Sequence, residues 1–426
     1  MTVAVVAVFV GAYLLIATER IHRVAAALIG AGAMVLLGVV DARVAFFSER
    51  TGVDWNVIFL LLGMMIIVSV LRQTGVFDFL AIWAAKRVRG RPFALLVMLV
   101  CITAVASALL DNVTTVLLIA PTTLLVCKRL GIAPVPFLIA EAMASNIGGM
   151  ATLVGDPPNI IIASRGGLSF NDFIIHLAPL ALLLMVVFVG LCRVMFGSAF
   201  TYDTERVAAV MAMREREAIT DRRLLAQSLV VLGAVIAGFV AHSALHVEPS
   251  MVALLGAGVL VALSRLAPAE YTEEVEWPTL VFFMGLFIMV GALVEVGVVE
   301  QLGRTLTDAV GGKYFLTSSL LLGGSAVLSG IVDNIPYVAT VSPLVADLVG
   351  GGTDPARTGM WWALAAGADL GGNATAVGAS ANVVVMGIAA RHGHPISFWK
   401  FTKYGLVVAA VTVTIAWGYL WLRYYA

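Results

Sequence analysis

The stretch 146–159, Asn-Ile-Gly-Gly-Met-Ala-Thr-Leu-Val-Gly-Asp-Pro-Pro-Asn, returns at 369–382 as Asp-Leu-Gly-Gly-Asn-Ala-Thr-Ala-Val-Gly-Ala-Ser-Ala-Asn, with seven of fourteen positions identical. Other pieces recur at nearly the same offset. Asp54-Trp55, Gly63 and Gly75-Val76 return as Glu276-Trp277, Gly285 and Gly297-Val298, and Asp111-Asn112 with Pro121 returns as Asp333-Asn334 with Pro343. Earlier, Ala-Leu-Ile-Gly-Ala-Gly at 27–32 matches Ala-Leu-Leu-Gly-Ala-Gly at 253–258. A chain built twice from one unit must fold as two related halves. The offset places these at 1–198 and 224–426, joined by a linker over 199–223.

What the unit can be follows from its polarity. Of 426 residues 61% are apolar and 12% charged, where soluble domains carry about 25% charge. Such a chain cannot supply the polar shell of a soluble core, which excludes a cytosolic enzyme and a disordered protein. Lys+Arg and Asp+Glu are both 26, so no net field recruits nucleic acid. Cys101, Cys127 and Cys192 form no CxxC pair and are odd in number, so a disulfide scaffold is excluded and each reads as a small packed hydrophobe. Residues 1–16 lack a basic leader and a small-residue cleavage site, so they read as a retained span.

Apolar stretches of bilayer length fall at about 2–17, 24–41, 55–72, 134–164, 174–196, 224–242, 250–264, 278–296, 360–390 and 404–424. No alternating pattern of short strands is present, so the expected class is an all-α polytopic protein of the cytoplasmic membrane. Two further apolar pieces, 92–127 and 314–349, are broken in the middle by Asp-Asn. Basic residues decide how these run. Arg20 and Arg23, the group Arg72 to Arg91, Lys128 and Arg129, and the arginines between Arg206 and Arg223 share one side only if 92–127 enters and leaves by the same face. That makes it a re-entrant hairpin with Asp111-Asn112 at its tip, and places 18 Lys/Arg on the cytoplasmic side against seven outside. Each half then has five crossings and one hairpin, and an odd number of crossings inverts the second copy. Inverted repeats with paired interruptions near the midplane are the sequence pointer to a secondary transporter. The linker reads as a solvated cytoplasmic connector.

The interruptions carry the chemistry. Gly148-Gly149 with Pro157-Pro158, and Gly371-Gly372 with Gly378, free backbone polar groups that lipid cannot satisfy. Close helix packing would account for the glycines, but not for Asn146, Thr152 and Asn159 in one half and Asn373, Thr375 and Asn382 in the other. Together they make an oxygen-rich cage suited to a hard cation or a hydrated solute. Asp111, Asp333 and Asp369 are intramembrane carboxylates, with Asp156 beside Pro157 ranked lower because it could cap a turn. A carboxylate at the bilayer centre costs about 2.5–3.5 kcal/mol on insertion scales. With no lysine or arginine expected inside the membrane, each must carry a proton or hold a cation. The candidate ion- and solute-binding set is therefore Asp111, Asn112, Thr114, Asn146, Gly148, Gly149, Thr152, Asp156, Asn159, Asp333, Asn334, Asp369, Gly371, Gly372, Asn373, Thr375 and Asn382. Sodium is a candidate near Asp111, Asn112 and Gly149, and near Asp333, Asn334 and Gly372. No catalytic residue or cofactor is expected; the coupling ion is Na⁺ or H⁺. An intramembrane aspartyl protease is disfavoured because neither hairpin aspartate sits in Gly-x-Gly-Asp. His176, Trp55 and Trp277 read as ordinary interfacial residues.

These motifs, Leu-Asp-Asn-Val-Thr-Thr at 110–115, Gly-Asp-Pro-Pro-Asn at 155–159, Val-Asp-Asn-Ile-Pro at 332–336 and Gly-Gly-Asn-Ala-Thr at 371–375, resemble the ion transporter superfamily. The resemblance is to its arsenite-permease and melanosomal P-protein branch, with a citrate-transporter-like domain, and particularly to actinobacterial arsenic-transport membrane proteins. It implies a homodimer in the lipid bilayer, each protomer moving a domain of hairpins and broken helices as an elevator. Sodium-coupled dicarboxylate relatives read Ser-Asn-Thr at the hairpin tips. Here Asn112 and Asn334 match the asparagines, Asp111 and Asp333 replace the serines, and Val113 and Ile335 replace the threonines. Carboxylates there would repel a multivalent organic anion. The expected activity is efflux of a small inorganic or metalloid solute, arsenite or antimonite, driven by the proton or sodium gradient. Na⁺/H⁺ antiport and Na⁺-coupled carboxylate transport are the alternatives, with an anion channel behind them. No Walker motif occurs, so ATP use would need an ATPase partner on the cytoplasmic face.

Overall fold

The computed structural model describes residues 1–18, 20–48, 50–197, 200, 204–310, 313–350 and 354–426. The junction expected between the first repeat and the linker, at 198–199 and 201–203, lies outside the described residues. In chain order the first half contains α1 (Thr2–Thr18), α2 (Arg23–Leu36), α3 (Ala42–Phe47), α4 (Trp55–Gln73), α5 (Val76–Arg87), α6 (Pro92–Leu109), α7 (Asn112–Leu130), α8 (Val135–Gly149), α9 (Pro157–Gly166) and α10 (Phe170–Phe196). After α11 (Thr204–Met211) come α12 (Arg222–Leu245), α13 (Pro249–Ser264), α14 (Pro268–Thr272), α15 (Trp277–Glu295), α16 (Val298–Val310), α17 (Tyr314–Ile331), α18 (Asn334–Val349), α19 (Pro355–Gly371), α20 (Ser380–Arg391) and α21 (Phe398–Tyr424). Helices α1–α10 are thus answered one for one by α12–α21. By length and composition α4, α6, α7, α10, α12, α15, α17 and α21 can each cross a membrane, and α1, α2, α13, α18 and α20 are shorter apolar helices. The protein is a multi-pass helical membrane protein.

Local chemistry places the ends. Asp54, Asp111, Asp221 and Ser397 each accept a backbone N–H of the first turn they precede, and Ser169 with Asp172 forms a capping box at α10. Proline stands in the first turn of α6, α9, α13 and α19, where its missing N–H costs nothing. The expected spans 134–164 and 360–390 are each two helices with a break between, α8–α9 and α19–α20. The expected hairpins are α6–α7 and α17–α18, turning at Leu110-Asp111 and Val332-Asp333. The short helices α5 and α16 lie outside the expected spans, and α5 takes in Lys86 and Arg87 of the basic group that follows 55–72.

Two groups of helices pack mainly among themselves. One is α1, α2, α4, α12, α13 and α15; the other contains the hairpins, the broken helices, α10 and α21. The first group is knitted by exchange between the halves, α2 lying on α15 and α13 on α4. A Cβ at Gly63 would come within 2.7 Å of the Ala253 backbone, and one at the repeat-related Gly285 within 2.9 Å of the Ala27 backbone. Both contacts need a residue with no side chain, which is how small residues let membrane helices approach.

The linker is docked, a correction to the solvated connector expected from its charge. Lys86 Nζ donates to Met213 O at 2.9 Å and to Glu215 Oε2 at 2.6 Å, and Thr220 N donates to Thr74 O at 3.0 Å. The Lys86 hydrogen bond holds the Glu215 carboxyl below its ordinary value. Cys127 and Cys192 are buried as small hydrophobes, whereas Cys101 is exposed on α6.

Candidate functional site

The two hairpin tips and the two helix breaks meet at one buried polar cluster. Asp111 caps α7, accepting Thr114 N at 2.8 Å, and that backbone bond is the recorded role of Thr114. The next residue, Asn112, donates through Nδ2 to Asp156 Oδ2 at 2.7 Å and to Asn146 Oδ1 at 3.1 Å. Its counterpart Asn334 donates to the same Asp156 carboxylate at 3.4 Å. Asn146 Nδ2 reaches the other half, donating to Asn373 Oδ1 at 2.9 Å and to Asn382 Oδ1 at 3.3 Å. Asp156 is the hub. It is wholly buried, precedes α9 without capping it through its side chain, and accepts from both hairpin asparagines. The turn-cap role expected for its side chain is not what the structure shows.

Asp369, in the last turn of α19, is also 0% exposed. Its carboxylate oxygens make no hydrogen bond of ordinary geometry, the Asn159 side chain being the nearby donor group, and the Oδ1 atoms of Asn112 and Asn159 find no donor among the described residues. Buried acceptors without donors are costly. Four such atoms belong to the first hairpin and the two broken helices, and a proton or a bare cation would satisfy acceptors of this kind. Among the described residues no group of three or more His, Cys, Asp or Glu could hold a metal, so a cation here would draw on amide and carbonyl oxygens beside the carboxylates.

The remaining predicted residues build the walls. Asn159 Nδ2 donates to Gly149 O at 3.3 Å and Thr152 O at 3.1 Å, and Asn382 Nδ2 to Gly372 O at 2.8 Å and Thr375 O at 2.9 Å. Each asparagine staples its own break by satisfying carbonyls that the interrupted helix frees. Thr152 and Thr375 tie the breaks to the hairpins through Ala108 O at 2.5 Å and Gly330 O at 2.6 Å. Gly148 and Gly371 serve packing: a Cβ would stand 2.2 Å from Ala104 O at one and 2.4 Å from Ala326 O at the other. Trp55 and Trp277 bond to Phe46 O and Thr272 O, and His176 stacks on Trp362, all away from the cluster.

Two residues were missed. Arg23, at the start of α2, lies 3.5 Å from Asp333 Oδ2, which corrects the expectation that no basic residue reaches the hairpin carboxylates. Along the sequence it stands just before the apolar run 24–41, among the basic residues that orient the spans. Glu141 of α8 is buried, accepting Thr123 Oγ1 at 2.6 Å on Oε1 while Oε2 has no donor among the described residues. The signal for it is a charge within the apolar stretch 134–164, which it shares with Asp156.

Two clefts approach the cluster from repeat-related places. One, of about 500 Å³, lies between the start of α4, α9 and the α12–α13 connection. The other, of about 490 Å³, lies between the start of α15, α20 and the α1–α2 connection, and reaches Asp333 and Val113 at the two hairpins.

Duplicated halves that bring two hairpin tips and two helix breaks onto one buried carboxylate cluster define a membrane transporter. The chain belongs to the citrate transporter family, whose model matches residues 13–367. It is similar along its whole length to an uncharacterized transporter of Mycobacterium tuberculosis, 59% identical and covered over 99% of that protein. It is 56% identical to a 46 kDa membrane protein of Mycobacterium leprae over the same share. The mouse P protein is 33% identical over 97% of this chain, which spans 59% of that longer protein. The fold is similar to the YdaH transporter of Alcanivorax borkumensis, with a TM-score of 0.59 at 15% identity, covering 85% of this chain and 84% of that one.

Proposed function

We propose that the protein is a secondary active transporter that expels a small uncharged inorganic solute, arsenite or antimonite in its hydroxide form, using the proton or sodium gradient. The observation that carries this reading is Asp369, wholly buried in the last turn of α19, with neither oxygen in a hydrogen bond of ordinary geometry to a described residue. A carboxylate so placed needs a proton or a cation at each turnover, which is what a coupling site does. A citrate-like anion fits poorly, since it would meet Asp111, Asp156 and Asp369, and among the described residues the arginine that reaches a hairpin carboxylate, Arg23, is already paired to Asp333. The hydroxide form of As(III) is uncharged near neutral pH and can accept and donate hydrogen bonds among Asn112, Asn146 and Asn334. The separate packing of the hairpin group and the α2–α4–α13–α15 group supports an elevator movement of the first against the second.

The same unsatisfied carboxylates support Na⁺/H⁺ antiport as the second reading, because a cation alone would complete them. Flux in proteoliposomes with an imposed proton gradient separates the two. Arsenite accumulation that collapses with a protonophore supports efflux, whereas dissipation of the gradient by Na⁺ alone supports antiport. Gradient-driven accumulation of citrate, with neither of these, would overturn both.

A further inference from the structure

The repeat-related carboxylates Asp111 and Asp333 have different surroundings. Asp111 caps its helix and meets no basic side chain among the described residues. Asp333 also caps its helix, accepting Ile335 N at 3.0 Å, but its other oxygen is engaged. Ser380 Oγ donates to Asp333 Oδ2 at 2.6 Å, and Arg23 Nη1 donates to that same Ser380 Oγ at 2.9 Å while lying 3.5 Å from Oδ2. Nη2 of Arg23 reaches Thr279 Oγ1 at 3.4 Å, which in turn donates to Glu276 Oε2 at 2.9 Å. The guanidinium also lies over the Phe282 ring at 5.5 Å. It is seated by contacts from α15, α20 and the second hairpin, with 33% of the side chain exposed against 18% for Asp333.

Among the described residues no arginine is seated against Asp111 in this way. The positions answering Arg23, Ser380 and Thr279 are Pro249, Pro157 and Val57, and none carries a charge. The hairpin without an arginine is also the one whose Asn112 Oδ1 lacks a donor. The two hairpin carboxylates therefore differ in their charge environment: at the second a guanidinium is built into the chain, and at the first no basic side chain meets the carboxylate among the described residues.

We propose that Arg23 is a resident cation that takes the place of a coupling ion at the second hairpin, leaving Asp111 of the first as the hairpin carboxylate open to Na⁺ or H⁺. This rests on the reading of the protein as a gradient-driven transporter, and it sets the coupling number of that transport. Removing the guanidinium while keeping Asp333 opens a second cation position, and removing both closes it again. Arg23 acts through Asp333 and is a positioning residue; it need never touch the solute.

The test compares wild type, Arg23→Lys, Arg23→Gln and the double variant Arg23→Gln/Asp333→Asn, reconstituted with the membrane potential clamped. The readout is the slope of log solute accumulation against the logarithm of the imposed Na⁺ or H⁺ ratio, which equals the number of coupled cations. The sum of the two slopes is expected to be higher by one in Arg23→Gln than in wild type, and to return to the wild-type value in Arg23→Lys and in the double variant. An unchanged slope in an actively transporting Arg23→Gln overturns the proposal. A second arm needs no transport: thermal unfolding of the purified proteins is followed against NaCl, with choline chloride as control, and against pH. Arg23→Gln should gain a stabilisation by Na⁺ or by protons that the double variant lacks, and equal responses in the two proteins overturn the proposal. If wild type accumulates no solute, the transport reading fails while this arm still decides the role of Arg23.

Discussion

The side-chain amide of Asn146 donates to that of Asn373 at 2.9 Å, joining the last turn of α8 to the break that follows α19. Both residues are fully buried, and the bond crosses from one half of the chain to the other. Asn146→Ala removes a donor to Asn373 and Asn382 and an acceptor from Asn112. Each buried polar group left unpaired costs about 1–3 kcal/mol. The variant should unfold at a clearly lower temperature in detergent than Asn171→Ala, whose side chain bonds an exposed carbonyl. Equal melting temperatures would remove Asn146 from the joint.

Asp369→Asn and Asp111→Asn should each lower gradient-driven accumulation more than tenfold, with membrane insertion and elution profile unchanged. Neither side chain supports a helix contact that an amide of the same shape would lose, apart from the Asp111 cap, which asparagine can also make. Vesicle uptake against a protonophore control reads the effect. Wild-type accumulation by both variants would exclude the carboxylates from coupling.

Gly148→Ala places a methyl group 2.2 Å from Ala104 O, on backbone that cannot yield without separating α6 from α8. Overpacking of this kind costs about 1–3 kcal/mol. Gly190→Ala in α10, which meets nothing within 4 Å, serves as the comparison and should be neutral or slightly stabilising. A scan of thermal stability by fluorescence-detected gel filtration would separate them.

Glu215 holds the linker on α5 through Lys86, and that hydrogen bond keeps its carboxyl below the ordinary value of 4.5. A depressed carboxyl contributes to docking fully above its free value and loses the contribution as pH falls through the lower docked value. Limited proteolysis around residues 213–221 should therefore be slow at pH 7 and accelerate only below about pH 4.5. Glu215→Gln should be cleaved faster already at pH 7, and pH-independent cleavage of wild type would show that the ion pair contributes nothing to docking.

Much of this architecture was legible because membrane burial amplifies a few signals. Apolar length gave the spans, Gly-Gly and Pro-Pro marked the breaks, and the Asp-Asn pairs marked the two hairpin turns. The cluster residues Asn112, Asn146, Asn334, Asn373 and Asn382 could be nominated because an uncharged amide inside a bilayer also needs a partner, and Asp156 because a carboxylate there is costlier still. What could not be read was who that partner is. Asp156 ranked low because proline at the next positions offers a local explanation, and nothing along the chain shows that Asn112 and Asn334 converge on it from opposite halves. Arg23 escaped for a different reason: an arginine beside a span end is the usual sign of a loop, and only the fold brings the second hairpin to it. The docking of the linker was hidden likewise, since a solvated charge and a surface ion pair have the same composition.

The exchange of α2 and α13 between the halves has a bearing on how the protein is made. Until α15 leaves the ribosome, the small-residue face of α2 around Ala27 has no helix to lie against, and α4 must wait for α13 to cover Gly63. The first half thus enters the bilayer with its closest seams open and is completed only by the second. Cutting the gene within the linker should give two fragments that are each short-lived alone and persist when produced together.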